Sequence, residues 1–289
     1  MTSATPTVLP PTGCVGRERE LTELAGLLTA AVRGAAVVTV VGEPGIGKTA
    51  LLRQLVTQHG GRWARAVPWE SELPGGVLAQ LLQDDVPADP VAAAAVLVDR
   101  LQGTGPQVLV IDDAEHADIE SLQAISTAVR HQRELPLLVV LGTAERAGDL
   151  GDLASREIRL TGLPPDGVAD LARRRGATLH PAMVAALTRH TRGNPRDVLA
   201  LLDEVPTAVW SRPDTDLPAP AHVVEHVGAQ LQRCGPDGRA LIEAVAILGD
   251  APLAEAAALA GITDPVAAID DAAAAGLLAT APEDRKSVV

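Results

Sequence analysis

Phenylalanine and tyrosine are absent from this chain of 289 residues, tryptophan occurs three times, and aromatics make up only 1% of it. Hydrophobic residues still reach 47%, so the cores must be assembled from Leu, Val, Ala and Ile, which favours many small helices and tightly buried strands. The two cysteines, Cys14 and Cys234, are far apart, with no Cys-x-x-Cys and no Cys/His cluster. That pattern excludes a disulfide framework and a zinc site and leaves ordinary reduced thiols, as expected in the cytoplasm. No apolar run approaches the ~18 residues of a membrane-spanning helix, and the N-terminal MTSATPTVLPPTG lacks a basic region followed by a long apolar stretch, so neither a membrane span nor a signal peptide is expected. A formal net charge of −13 argues against direct contact with nucleic acid by this polypeptide.

Lysine is almost missing as well: only Lys48 and Lys286 stand among 24 Lys and Arg. Lys48 lies in Gly42-Glu43-Pro44-Gly45-Ile46-Gly47-Lys48-Thr49, followed by Ala50, which matches the GxxxxGK[ST] phosphate-binding pattern. The flanks agree with the pattern. Residues 35–41 (AAVVTVV) form a short β-branched run, as expected of a strand buried on both faces, and residues 49–59 read as a helix with Leu51, Leu52, Leu55 and Val56 on one face. Glycines let successive N–H groups turn inward on phosphate oxygens, and the helix N-terminus adds about half a positive charge. Lys48 then bridges the terminal phosphates and the Thr49 hydroxyl serves a magnesium ion.

The rest of the chain alternates strand and helix up to about residue 160. A helix over residues 17–33 precedes the loop strand; a short strand (62–67) and two helices (77–83, 90–102) follow it. Residues 107–113 (QVLVIDD) form the next buried strand, residues 118–133 a helix, 137–143 (LLVVLGT) a strand and 158–160 the last. Such alternation predicts a doubly wound parallel sheet with its ligand at the carboxyl ends of the strands. After Leu163-Pro164-Pro165 only helices are expected: 166–175, 181–189 and 196–204 as an all-α lid, then 222–233, 236–248, 253–260 and 264–275 leading into a possible strand at 276–280. Three helices entering a strand suggest a winged-helix-like domain. The resulting division is a flexible segment (1–13), a nucleotide-binding α/β domain (14–162), a lid (163–205), a proline-rich linker (206–221), a truncated winged-helix-like domain (222–282) and a tail (283–289).

Asp112 and Asp113 end an apolar strand at the place where a phosphate site needs carboxylates, Asp112 to order the magnesium ion and Asp113 to orient or deprotonate an attacking water. Arg146, three residues past the LLVVLGT strand, is either a charge-assisted donor to the terminal phosphate or a solvated surface arginine. His116 and Arg173-Arg174-Arg175 suit solvated helix ends, and Gly193-Asn194-Pro195 is a turn followed by a helix start.

Together these residues resemble the STAND class of signal-transduction NTPases, in particular the AAA-like ATPase region of large LuxR-type transcriptional regulators. Val15-Gly16-Arg17-Glu18 resembles that family's opening motif, which implies contact of Val15, Gly16 and Arg17 with adenine and ribose. GEPGIGKT at 42–49 is similar to its phosphate loop, and Glu70-Ser71-Glu72-Leu73-Pro74 with Leu78, Leu81 and Leu82 to the segment after its second strand. Val110-Ile111-Asp112-Asp113-Ala114 with Ala117-Asp118 is similar to its acid motif, and residues 143–146 fall at its sensor position. Gly193-Asn194-Pro195 resembles the turn whose proline packs near the adenine. Glu115-His116 departs from the family, which carries another pair before Ala-Asp, and the departure bears on turnover more than on binding.

The resemblance covers residues 14–282 and implies an ATP- and Mg²⁺-dependent switch with weak ATPase activity, ATP and ADP as its ligands, and self-association or inducer-dependent oligomerisation. DNA contact would be made through a helix-turn-helix absent from this chain. Residues 284–289 (DRKSVV) interrupt the helical pattern and resemble the translation of a sequencing adapter, so an artefactual end to a truncated fragment is expected. Two other readings share the loop: an AAA-type origin-binding or remodelling ATPase, which calls for a basic DNA face, and a small-molecule kinase, which calls for an acceptor pocket.

Overall fold

The computed structural model describes residues 13–102, 105–132, 135–144, 153–212, 216–249 and 252–278. Arg146 and the expected tail lie outside the described residues. The chain divides into two compact units between Leu217 and Pro218.

The first unit is built on five strands, β1 (Ala36–Val41), β2 (Arg62–Arg65), β3 (Gln107–Asp112), β4 (Leu137–Thr143) and β5 (Arg156–Arg159), which form one parallel sheet in the order β2-β3-β4-β1-β5. The acid strand β3 therefore does not touch the loop strand β1; β4 stands between them. The helices are α1 (Glu18–Ala30), α2 (Lys48–His59), α3 (Gly76–Leu82), α4 (Pro90–Leu101) and α5 (Ile119–His131). Strand residues alternate between two apolar layers. Leu109, Ile111, Val139 and Leu141 pack under α3, α4 and α5, while Val38, Val40, Val110 and Val140 pack under α1 and α2. Both layers being covered, the strands read as continuous aliphatic runs, without the polar alternation of a half-exposed sheet.

Asp118 joins two of the covering helices. Its fully buried carboxylate accepts from Ser121 N–H (2.8 Å) at the start of α5 and from Gly75 N–H (2.8 Å) and Val77 N–H (3.0 Å) at the start of α3. One side chain thus satisfies the free N–H groups of two helix ends.

Three further helices of the first unit, α6 (Pro165–Arg174), α7 (Pro181–Thr191) and α8 (Pro195–Glu204), close on Val168, Met183, Leu187, Val198 and Leu201. Trp210, only 1% exposed, packs into the same core, so the beginning of the expected linker is part of the lid.

The second unit contains α9 (Ala221–Arg233), α10 (Pro236–Leu248), α11 (Leu253–Ala260) and α12 (Pro265–Ala274). Its core is Leu241 with Ala244, Ala256, Ala257 and Ala268. Asp271 on α12 accepts from Gly235 N–H at 2.7 Å and so closes the start of α10, whereas α9 buries no residue. Residues 276–278 form turn and bends, so they supply no strand for a wing, and the remainder of the expected strand lies outside the described residues.

Candidate nucleotide site

The glycine loop runs from the end of β1 into α2 at the carboxyl edge of the sheet. Gly42 N–H bonds to Thr143 O of β4 (3.2 Å), tying the start of the loop to the neighbouring strand end. Gly45 (φ 82°) and Gly47 (φ 101°) have left-handed φ values that other residues reach only at a cost. Gly47 occupies the N-cap position of α2 with no side-chain cap, so the first N–H groups of the helix face outward and have no intrahelical acceptor. Lys48 is buried, and its Nζ donates to Gly42 O (2.6 Å) and Glu43 O (3.4 Å). The ammonium is held in the loop by neutral carbonyls alone.

Asp112 stands at the end of β3 with no solvent exposure. Its Oδ2 accepts from the Thr49 hydroxyl at 2.8 Å, while its Oδ1 is buried without a hydrogen-bond partner. Burial pushes this carboxyl above the usual carboxylate range; the Thr49 bond opposes the shift and the charge of Asp113 adds to it. Space around Oδ1 depends on β4, since a Cβ placed on Gly142 would lie 3.2 Å from it and 2.8 Å from Leu52 Cδ1. A threonine hydroxyl beside a buried carboxylate with an unused oxygen is a donor set of the hard oxygen type that suits magnesium.

Asp113 turns the other way. It has a left-handed backbone (φ 54°), and its Oδ2 accepts from Arg65 Nε of β2 at 3.0 Å. Glu115, two residues on, accepts the N–H of Ala144 just past β4 at 3.1 Å. Nothing in the sequence marked Glu115 as a site residue beyond its departure from the family pattern.

The lid touches the loop directly. Asn194 Nδ2 donates to Pro44 O (3.0 Å), and Arg196 N–H donates to Asn194 Oδ1 (3.0 Å) and Gly45 O (3.4 Å). A Cβ on Gly45 would come within 2.7 Å of Arg196 Cβ. Gly162 and Gly193 pass so closely, with Leu163 N–H bonding to Gly193 O at 2.8 Å, that a side chain on Gly162 would overlap Arg192 O. The sequence offered Asn194 only as a turn and helix start; its hold on the loop comes from the fold.

Arg17 is buried, with Nη2 donating to Ile46 O (2.9 Å) and Thr161 O (2.7 Å). Its guanidinium thus braces the back of the loop against the segment after β5. Val15 and Arg17 nevertheless line an apolar cavity of about 320 Å³ with Ile46, Gly47, Ala50 and Pro195; Val15, Arg17 and Pro195 are those that the resemblance sets near adenine and ribose. Cys14 is there too, its thiol pushed up by burial. A second, more polar cavity of about 650 Å³ lies on the other side of the loop, lined by Gly42, Glu43, Ala144, Arg159, His190 and Arg192 among others. No helix among the described residues is long and apolar enough to cross a membrane.

No curated protein matches the chain. Among solved structures it is similar in fold to Cdc6p from Pyrobaculum aerophilum (16% identity, 97% of this chain and 91% of that one, TM-score 0.50). It is also similar to a STAND protein with a tetratricopeptide repeat sensor from Pyrococcus horikoshii (18% identity, TM-score 0.50), covering 96% of this chain and 42% of that one. A third similar structure is the Walker-type ATPase from Pyrococcus abyssi (14% identity, 88% of this chain and 94% of that one, TM-score 0.51). At these identities the likeness concerns the fold alone. Residues 13–140, which hold the loop, the buried lysine and both aspartates, match the model of the AAA ATPase domain.

Proposed function

We propose that the first unit binds ATP with Mg²⁺ and that the chain is a slowly hydrolysing switch module, as in the ATPase region of LuxR-type regulators. The observation that carries this reading is the meeting, at one sheet edge, of a left-handed glycine loop, a buried lysine held only by carbonyls, and Asp112 with a buried oxygen left unused. The loop and the start of α2 present N–H groups to the phosphates. Lys48 exchanges its neutral partners, Gly42 O and Glu43 O, for charged phosphate oxygens, which make stronger hydrogen bonds. Thr49 and Asp112 would hold the magnesium ion, which neutralises phosphate charge. Val15, Gly16, Arg17, Ala50 and Pro195 enclose the base and ribose, Arg17 by bracing the loop. Hydrolysis needs one more carboxylate to take a proton from water, and Asp113 and Glu115 both stand on the turn after β3.

The lid contact through Asn194 and Pro195 gives the switch its means, since a nucleotide that changes the loop changes what these residues bind. Its effect on the lid equilibrium equals its difference in affinity for the two arrangements. The rival AAA-type remodelling or origin-binding reading requires ATP-driven assembly and salt-sensitive DNA binding, both measurable on the same sample. The central test is thermal unfolding of the full chain with and without ATP·Mg²⁺: at a hundred times Kd the nucleotide should add about 2.7 kcal/mol to the unit that binds it. Lys48→Ala should remove that gain. Calorimetry showing no uptake of ATP by folded wild-type protein would overturn the reading.

A further inference from the structure

We propose that Arg174, the last residue of the first lid helix, latches the N-terminal segment to the lid at the base cavity and so sets how fast nucleotide enters and leaves; the proposal rests on the ATP reading above. Two walls of the cavity matter here. One is the segment 13–17, which contributes Cys14 and Val15, and the other is the lid, where Leu171 and Arg174 of α6, with Arg175 just past it, line the cavity. Their spacing of three and four residues sets them on one side of the helix, while Val168 and Ala172 are buried and Val168 packs into the lid core. In the sequence this arginine run suits a solvated helix end; the fold brings part of it to the cavity.

The segment is anchored unevenly. At its inner end Arg17 is buried and bonded to Ile46 O and Thr161 O. At its outer end Cys14 N–H donates to Gln54 Oε1 of α2, and Gly13 O accepts from Arg174 Nη1 at 2.6 Å. Between these points it runs along α6, since a Cβ on Gly16 would lie 3.1 Å from Leu163 Cδ2 and 3.8 Å from Gly167 Cα. Gly47 and Ala50 line the same cavity from the loop and α2, so a segment tied to α2 and α6 together closes that side.

Asp170, one turn earlier on α6, orients the guanidinium: its Oδ2 lies 3.3 Å from Arg174 Nε, and Nη1 is left for Gly13. The bond to Gly13 is exposed, and neither partner belongs to the lid core, so it can open while the lid helices stay packed. It joins two protein segments and takes no bond from the nucleotide. A base that passes between segment and helix must break it on the way in and on the way out, which raises the barrier and leaves the equilibrium nearly unchanged. Removing the bond therefore speeds both directions.

The test follows binding and displacement of methylanthraniloyl-labelled ADP on the full chain by stopped-flow fluorescence, comparing wild type with Arg174→Ala, Arg174→Lys and Arg173→Ala. Arg174→Ala should raise both rate constants about three- to tenfold, the usual contribution of one hydrogen bond, with Kd held within about twofold. Lysine can still donate to Gly13 O, so Arg174→Lys should stay closer to wild type. Arg173→Ala removes the neighbouring arginine from the same Asp170 without touching Gly13 and should move neither rate. Unchanged rates in Arg174→Ala would overturn the latch. So would faster release with a proportionally weaker Kd and unaltered entry, the mark of a side chain that holds the nucleotide itself, or an equal effect of Arg173→Ala. Each of those results leaves the ATP reading in place, whereas a folded wild-type chain that takes up no nucleotide removes the reading and the latch together.

Discussion

The two units are made from the same aliphatic residues and bury them to different degrees. In the first unit, leucines such as Leu24, Leu51, Leu52, Leu55 and Leu109 have no exposed surface. In the second, the core is one leucine and a set of alanines, while Val224, Ile247, Leu259 and Val266 are between 55% and 77% exposed. A fully buried leucine contributes about 1.5–3 kcal/mol, and an alanine has far less surface to remove from water. A high fraction of hydrophobic residues therefore does not amount to a strong core: side-chain size and closure on both faces decide it. The first unit can hold a lysine and an aspartate away from water because its aliphatic layers are closed around them.

That contrast can be broken by mutation. The largest effect is expected at Leu109→Ala, which should cost the first unit about 2–5 kcal/mol in urea unfolding and leave the second unit's transition in place. An effect shared equally by both would mean that they unfold together. Arg17→Ala comes next. It leaves the carbonyls of Ile46 and Thr161 without their donor and should cost about 1–3 kcal/mol while weakening ATP binding. An unchanged affinity would show that the brace does not shape the loop. The smallest change is expected at Ile247→Lys, within about 0.5 kcal/mol, since that side chain already faces water in the structure. A clearly larger loss, measured on the second unit's own transition, would show that α10 is covered in solution.

Much of the fold was legible because local rules and the hydrophobic pattern agreed. Residues 137–143 are a strand and 236–248 a helix as expected, and most other boundaries differ by one or two residues where helix ends tighten or fray. The loop was legible for the same reason, as its function lies in consecutive backbone atoms. What stayed hidden was each residue's distant partner. Asp113 was assigned to orient or deprotonate the attacking water because it follows Asp112, and its bond to Arg65 could not be foreseen. Trp210 was placed in a linker, although it fills the lid core. Asp118 was read as the first residue of a helix and Asn194 as part of a turn and helix start, and each also bonds to a second segment, 41 to 43 residues away for Asp118 and 150 for Asn194.

The sequence alone determined where strands, helices and the phosphate loop form, because spacing of aliphatic residues and glycine freedom act over a few neighbouring positions. The strand order was decided only by the tertiary structure, since any of several parallel arrangements would bury the same aliphatic runs. With β4 between the acid strand and the loop strand, Asp112 is buried against Gly142 with one oxygen unused, Asp113 is drawn to Arg65, and Glu115 is brought to Ala144. Which partner each of three nearby carboxylates meets is thus a matter of which strand lies on which side, and hydrogen bonds across a sheet leave no trace in local spacing.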